Sequence, residues 1–170
     1  MLFDFNGFVY HGSIIQVEYI DLSKSRNKLD FGKGFYVTSS YQQACRWSEI
    51  KYNRVKGIEA VKAVSKYSVT GFNGLNVKEF KNAGHEWLEF IVQNRREEVT
   101  QHNYDIVIGH IADDTTLLVI NTYINGLYGV GDEAVKIAIS LLKPEMLENQ
   151  YAFCTEKAIA KLKFEGCVYL

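Results

Sequence analysis

Bulky apolar and polar side chains alternate from Phe8 to Ser13, and the run ends in the small pair Gly12-Ser13. A period of two marks a strand with one buried face, so residues 8–13 are predicted to form a strand running into a glycine turn. Ile20 and Leu22 flank Asp21 and predict a second short extended piece, with a polar, basic loop from Ser23 to Lys28 behind it. Asp30-Phe31-Gly32-Lys33-Gly34 is a glycine-rich turn leading straight into a strand over Phe35 to Thr38. Ser39 or Ser40 then caps a helix that carries Tyr41, Ala44, Cys45 and Ser48 on one face. Residues 58–70, rich in Val and alternating in part, predict another strand, and Asn76 caps a short helical turn, Val77 to Lys81.

In the second half, the spacing of Trp87, Leu88, Ile91 and Val92 predicts an amphipathic helix over 85–97, with a charged tail from Arg95 to Glu98. Tyr104 to Ile111 and Leu117 to Tyr123 read as two strands joined by the short acidic turn Ala112-Asp113-Asp114, hence a hairpin. Asp132 caps a helix with Val135, Ala138, Ile139 and Leu142 inward, and the single proline, Pro144, stops it. Gln150 to Cys154 predicts a strand. Thr155 caps a last helix ending near Gly166, and Val168-Tyr169-Leu170 adds an edge strand. This order lacks the regular strand–helix alternation of a doubly wound sheet and predicts an α+β fold. With 170 residues and no repeat, low-complexity tract or linker, the chain reads as one domain, 1–170.

Charge and cysteine content narrow the partners. A net charge of −1 supplies no global field toward nucleic acid or an anionic membrane, although a local groove would suffice for a nucleic-acid substrate. Met1 to Tyr10 lacks the basic flank and apolar run of a signal peptide. No apolar stretch approaches the roughly 18 residues of a membrane span. Cys45, Cys154 and Cys167 are odd in number and form no CxxC pair, which predicts reduced thiols in a cytoplasmic protein and no metal ligation. The 11 Tyr, 10 Phe and 2 Trp suffice either to fill a core between short strands or to line a pocket for a flat heterocycle.

Two features carry candidate chemistry. His11 closes the first strand and is followed by Gly12 and Ser13, where a missing side chain lets main-chain groups approach a ligand. The bland reading is a core histidine at a strand end. The second feature, Asp30 to Thr38, sets two glycines before an aromatic strand, although neither a Walker A loop nor a GxGxxG fingerprint occurs intact in the chain. Tyr36 by itself reads as a packed strand residue more readily than as a stacking platform. His85-Glu86-Trp87-Leu88-Glu89 has Glu where a zincin needs its second histidine, and it reads as an amphipathic helix anchored by Trp87. Asn94 and Arg95 are placed either to face a ligand's phosphates or acceptor or to pair with Asp113 or Asp114. The two aspartates read as a solvated turn, with a carboxylate-bound metal the minor reading.

Taken together, YHGS, DFGKGFYVTSS, HEWLEFIVQNR, YDIVIGHIADD and QYAFCTE, in that order from Tyr10 to Glu156, resemble the His-Tyr-Glu branch of the ADP-ribosyltransferase superfamily. That branch includes diphtheria toxin, the poly(ADP-ribose) polymerases and the tRNA 2′-phosphotransferases. The likeness is greatest to a family of small bacterial proteins within the superfamily. It implies a split β-sandwich with surrounding helices and a central cleft that holds NAD bent, so that its nicotinamide–ribose bond is exposed to a nucleophile. It also implies that His11 bonds ribose hydroxyls, that the Gly12 main chain binds the carboxamide, and that Tyr36 stacks on nicotinamide. Ser13 or Thr38 would add a hydroxyl, and the loop Asp30 to Gly34, with Phe31, Gly32 and Gly34, would close over the cofactor.

The third catalytic position departs from the pattern. Gln150 in Asn149-Gln150-Tyr151-Ala152-Phe153 stands where the superfamily has Glu. An amide accepts a hydroxyl bond but brings no negative charge to an oxocarbenium-like transition state. Glu148 and Glu156 lie nearby, and Glu156 reads as a first-turn carboxylate or, alternatively, as the third site residue. The resemblance thus implies mono-ADP-ribosylation of a macromolecule with NAD as co-substrate. It also implies a role as a toxin or phage-defence effector, restrained by a companion antitoxin protein. The rival expectation, kept open by Gln150, is a catalytically weak nucleotide-binding module of the same fold. RNA 2′-phosphotransfer is disfavoured, since no concentrated set of arginines is present.

Overall fold

A computed structural model describes residues 7–55, 59–96, 102–110, 114–142 and 149–170. It is an α+β structure with two sheets and five α-helices among the described residues. In chain order the elements are β1 (Phe8–Ser13), β2 (Phe35–Val37), α1 (Tyr41–Arg54), β3 (Ala63–Val69), β4 (Val77–Glu79), α2 (His85–Arg96), β5 (Ile106–His110), α3 (Asp114–Ile124), α4 (Asp132–Leu142), β6 (Asn149–Phe153), α5 (Glu156–Ile159) and β7 (Leu162–Tyr169). The first sheet runs β1-β3-β7, antiparallel throughout. The second runs β2-β6-β5-β4, antiparallel except for β4 beside β5.

Four sequence expectations are corrected. The piece around Ile20 and Leu22 forms no strand. Asp21 accepts from both the amide and the hydroxyl of Ser23, at 2.9 and 2.6 Å, and starts a single 3-10 turn over Leu22–Lys24. Val77–Glu79 is extended, not helical, because it pairs in parallel with Ile106–Ile108. The Asp105 carboxylate fixes that start by accepting the Asn76 amide at 2.8 Å. Leu117 to Tyr123 belongs to helix α3, so there is no hairpin. Thr116, Val119 and Ile120 are buried and Tyr123 packs beside them, a helical spacing that a short apolar run conceals. Thr155 does cap α5, yet that helix ends at Ile159. Leu162 and Phe164 then alternate with Lys163 and Glu165, and β7 pairs along β3. Pro144, Glu148, Ala112 and Asp113 lie outside the described residues.

Two cores follow from the strand alternation. Val9 and Tyr67 of the first sheet meet Phe35, Val37, Ile106, Tyr151 and Phe153 of the second in one cluster between the sheets. The opposite face of the second sheet, through Val107 and Ala152, meets Trp87, Leu88 and Ile91 of α2, Ile120 of α3 and Ala138 of α4. Burying each large apolar side chain contributes about 1.5–3 kcal/mol, so α2 is held chiefly by this stripe. No helix among the described residues is long and apolar enough to cross a membrane.

Helix α1 covers β1, and its approach is limited by Gly12. Ser40 caps α1 by accepting from the Gln43 amide at 3.2 Å. Ala44, Ser48 and Lys51 recur at i, i+4 and i+7, so they share one face over β1. A Cβ on Gly12 would stand 1.9 Å from the Ala44 carbonyl oxygen and 2.8 Å from the Ser48 nitrogen. Backbone atoms in a capped helix have no rotamer by which to yield. Gly12→Ala is therefore expected to destabilise the fold by about 3 kcal/mol or more. Denaturant unfolding at neutral pH checks this, and a loss below about 1 kcal/mol would show that α1 shifts freely.

Candidate functional site at the split between the sheets

Among the described residues, the two sheets are joined at one isolated bridge. Tyr10 donates to Thr38 at 2.8 Å, and Thr38 donates back to Tyr10 at 3.0 Å. Continued for two residues, that antiparallel register would set Gly12 opposite Tyr36. The described ladder does not continue; side chains stand between the two strands instead. The His11 ring reaches the Tyr36 carbonyl oxygen at 2.7 Å through Nδ1, and the Lys51 ammonium donates to the Gly12 carbonyl oxygen at 2.6 Å. Lys51 Nζ also lies 3.4 Å from His11 Nε2.

These contacts fix the state of His11. A carbonyl only accepts, so Nδ1 carries the proton, and Nε2 offers its lone pair to the Lys51 ammonium. Burial, and then the Lys51 charge, lower the His11 pKa from 6.5 to about 3. The ring is stacked on Phe35 at 4.4 Å between centroids. Lys51 itself is lowered from 10.5 to about 8 by burial and then by the Arg26 charge. Sequence reading missed Lys51. The signal was there, as a cation on the same helical face as the small residues Ala44 and Ser48 that pack over Gly12.

Tyr36 and His11 meet through the Tyr36 main chain. Phe35 turns into the core between the sheets, whereas the Tyr36 ring packs with the cluster on the helix side. The Tyr36 hydroxyl donates to the Gly32 carbonyl at 2.7 Å and accepts the Phe31 amide at 3.0 Å. Burial, reinforced by Asp30, holds this phenol well above its ordinary pKa, so it keeps its donor proton.

The loop before β2 is pinned at every step. The Phe31 ring is fully buried, parallel to Tyr36 at 6.4 Å, so it is not open to a ligand. Its carbonyl accepts from His102 at 2.8 Å. Asp30 takes a charge-assisted bond from Arg95 Nε at 2.7 Å and a second contact from the same guanidinium. Asp30 is thus a described partner of Arg95, while Asp113 and the Asp114 side chain lie outside what is described. Gly32 sits at φ +76°, a left-handed position that favours glycine. The Gly34 amide and carbonyl both bond the Ser25 hydroxyl, at 2.9 and 2.8 Å.

The remaining residues of the candidate site are placed as follows. The Ser13 carbonyl accepts from Ser48 at 2.8 Å. Thr38 is fully buried, and its hydroxyl donates to the Asn149 carbonyl and accepts the Ser40 amide. Gln150 is buried on β6, one residue past the Tyr151–Val37 pair and therefore beside Thr38. Its amide nitrogen donates to the His110 carbonyl at 3.2 Å. Glu156 is exposed in the first turn of α5, where a carboxylate complements the helix dipole. Asn94 is buried on α2 and donates to the Phe90 carbonyl. The structure thus gathers His11, Gly12, the Tyr36 main chain and Thr38 at one split, sets Gln150 one strand away, and leaves Glu156 on the surface. Among the described residues no group of three or more His, Cys, Asp or Glu is arranged to hold a metal ion.

Because the Tyr36 hydroxyl ties Phe31 to Gly32, Tyr36→Phe leaves a buried amide without its acceptor. A loss of about 1–2 kcal/mol in unfolding free energy is expected. Denaturant unfolding equal to that of the unsubstituted protein would show that the hydroxyl carries none of the loop.

No curated protein and no solved structure matches the chain. A family model does, over residues 8–164, from the first residue of β1 into β7, and it therefore spans every element of the site. The chain belongs to the family described as protein of unknown function, DUF3990.

Proposed function

We propose that the split between β1 and β2 is an NAD site and that the protein is a mono-ADP-ribosyltransferase acting on a macromolecule. The observation that carries this reading is the interruption of pairing at Gly12 and Tyr36. The Gly12 and Tyr36 carbonyls that a ladder would have consumed are held there by the Lys51 ammonium and the neutral His11 imidazole instead. A carboxamide needs one donor and one acceptor, and the Gly12 main chain supplies both in this reading once the Lys51 ammonium turns from its carbonyl. The His11 ring, neutral and held by Tyr36, suits bonds to sugar hydroxyls, for which an imidazolium is not required. Catalysis in this reading comes from holding the dinucleotide so that its glycosidic bond is exposed to the acceptor. The proposed role extends to a toxin or phage-defence effector restrained by a companion protein.

One observation favours a second reading, that of a nucleotide-binding module. Gln150 stands buried with its amide on the His110 carbonyl, and it brings no negative charge toward a developing cation. The two readings separate when the protein is incubated with NAD, alone and with cell lysate. Transfer is expected to release nicotinamide and add single ADP-ribose units to an acceptor, both seen by mass spectrometry. His11→Ala is expected to weaken NAD binding by about 1–3 kcal/mol. Binding that depends on His11 but releases no nicotinamide would favour the module. Equal NAD affinity with and without the imidazole would overturn both.

A further inference from the structure

Lys51 is a cation without a counter-ion. Its ammonium is partly buried between β1 and α1, bonded to the Gly12 carbonyl and set against His11 Nε2. Neither contact carries negative charge, and among the described residues no carboxylate pairs with it. Arg26 is close enough to repel it, and Arg26 likewise forms no ion pair among the described residues. The segment bearing Arg26 is not adrift, because the neighbouring Ser25 hydroxyl holds both main-chain groups of Gly34. A partly buried ammonium held only by neutral acceptors destabilises the fold unless an anion offsets it.

We propose that Lys51 and Arg26 form a phosphate subsite at the split between β1 and β2, which takes the diphosphate of a nucleotide ligand. The subsite rests on the reading of that split as a ligand site, and it adds the part of the ligand that main-chain groups and a neutral imidazole cannot recognise. Lys51 supplies a compact ammonium on a flexible stem, able to turn from the Gly12 carbonyl to a phosphate oxygen while its stem stays packed. Arg26, exposed at the edge, supplies the planar donor set that suits a second phosphate oxygen pair.

Calorimetric titration of the full chain with inorganic pyrophosphate, ADP-ribose and nicotinamide riboside tests this at fixed ionic strength, using Lys51→Met and Arg26→Gln. Pyrophosphate and ADP-ribose are expected to bind at least tenfold more weakly to Lys51→Met and several-fold more weakly to Arg26→Gln. Nicotinamide riboside, which lacks phosphate, is expected to bind Arg26→Gln as it binds the unsubstituted protein. Arg26 is exposed, so its variant keeps the test decisive even where Lys51→Met folds poorly. Unchanged affinity for both phosphate ligands in Arg26→Gln, or no binding of either to the unsubstituted protein, would overturn the subsite. If NAD releases nicotinamide while both variants keep the same KM, the transferase reading stands and the subsite falls. If both phosphate ligands bind through Lys51 but NAD is neither bound nor consumed, the subsite stands and the NAD reading falls.

Discussion

The pair of main-chain hydrogen bonds between Tyr10 and Thr38 is the constraint on which the candidate site depends. It fixes where the two sheets touch and hence where they part. Beyond it β1 is committed to two other partners. Its inner neighbour β3 takes the residues from Phe8 to Ser13 in register, and α1 lies so close above that Gly12 cannot carry a side chain. Ser48 and Lys51 then hold the Ser13 and Gly12 carbonyls from above. A strand bound on that many sides has a defined position, so the opening opposite Tyr36 is defined too. Groups placed there by rigid elements are held more closely than groups on loops.

The other wall is made rigid by a different chemistry. The turn before β2 carries glycines where the backbone needs them, but its fixity comes from side chains: Phe31 driven into the helix-side core, Asp30 clamped by Arg95, and the Tyr36 hydroxyl closed on both neighbours. Arg95 and the buried stripe of Trp87, Leu88 and Ile91 belong to the same helix, so the packing that stabilises α2 also sets the turn. Electrostatics complete the site. A neutral imidazole beside an ammonium is a stable arrangement, since Nε2 accepts from Lys51 and the ring has no charge to repel it.

Much of this was legible in the sequence. The strand over Phe8 to Ser13, the capped helix after Ser40, the stripe on α2 and the strand after Asn149 each announce themselves by period or by cap. The failures have a common origin, in that tertiary partners decided what local pattern left open. Val77–Glu79 is extended because β5 pairs with it, and Leu117 to Tyr123 is helical because its buried positions face α2 and α4. Leu162 to Glu165 alternated plainly, yet the preceding cap at Thr155 drew the reading toward a helix. Within the site, His11, Gly12, Tyr36 and Thr38 were singled out by their motifs and the resemblance these carry, and their convergence at one bridge was not visible in the sequence. Lys51 escaped because it is a charge on an amphipathic helix, where most charges face only water, and the pairing of Arg95 with Asp30 escaped because it joins a helix to a loop 65 residues away.

The central claim is that His11 stands as a neutral ring bound through Nδ1 to Tyr36, between β2 and the Lys51 ammonium. Nitrogen NMR of selectively labelled histidine reads this directly, since each imidazole nitrogen reports its own protonation. The folded-state pKa is lowered, so the ring stays neutral as pH falls through 6.5 and binds a proton only toward about 3. From pH 7 to 5 the expected spectrum shows one histidine, lost in His11→Gln, with a protonated Nδ1, a bare Nε2 and no titration. A His11 signal that titrates near 6.5, or one with its proton on Nε2, would contradict the account.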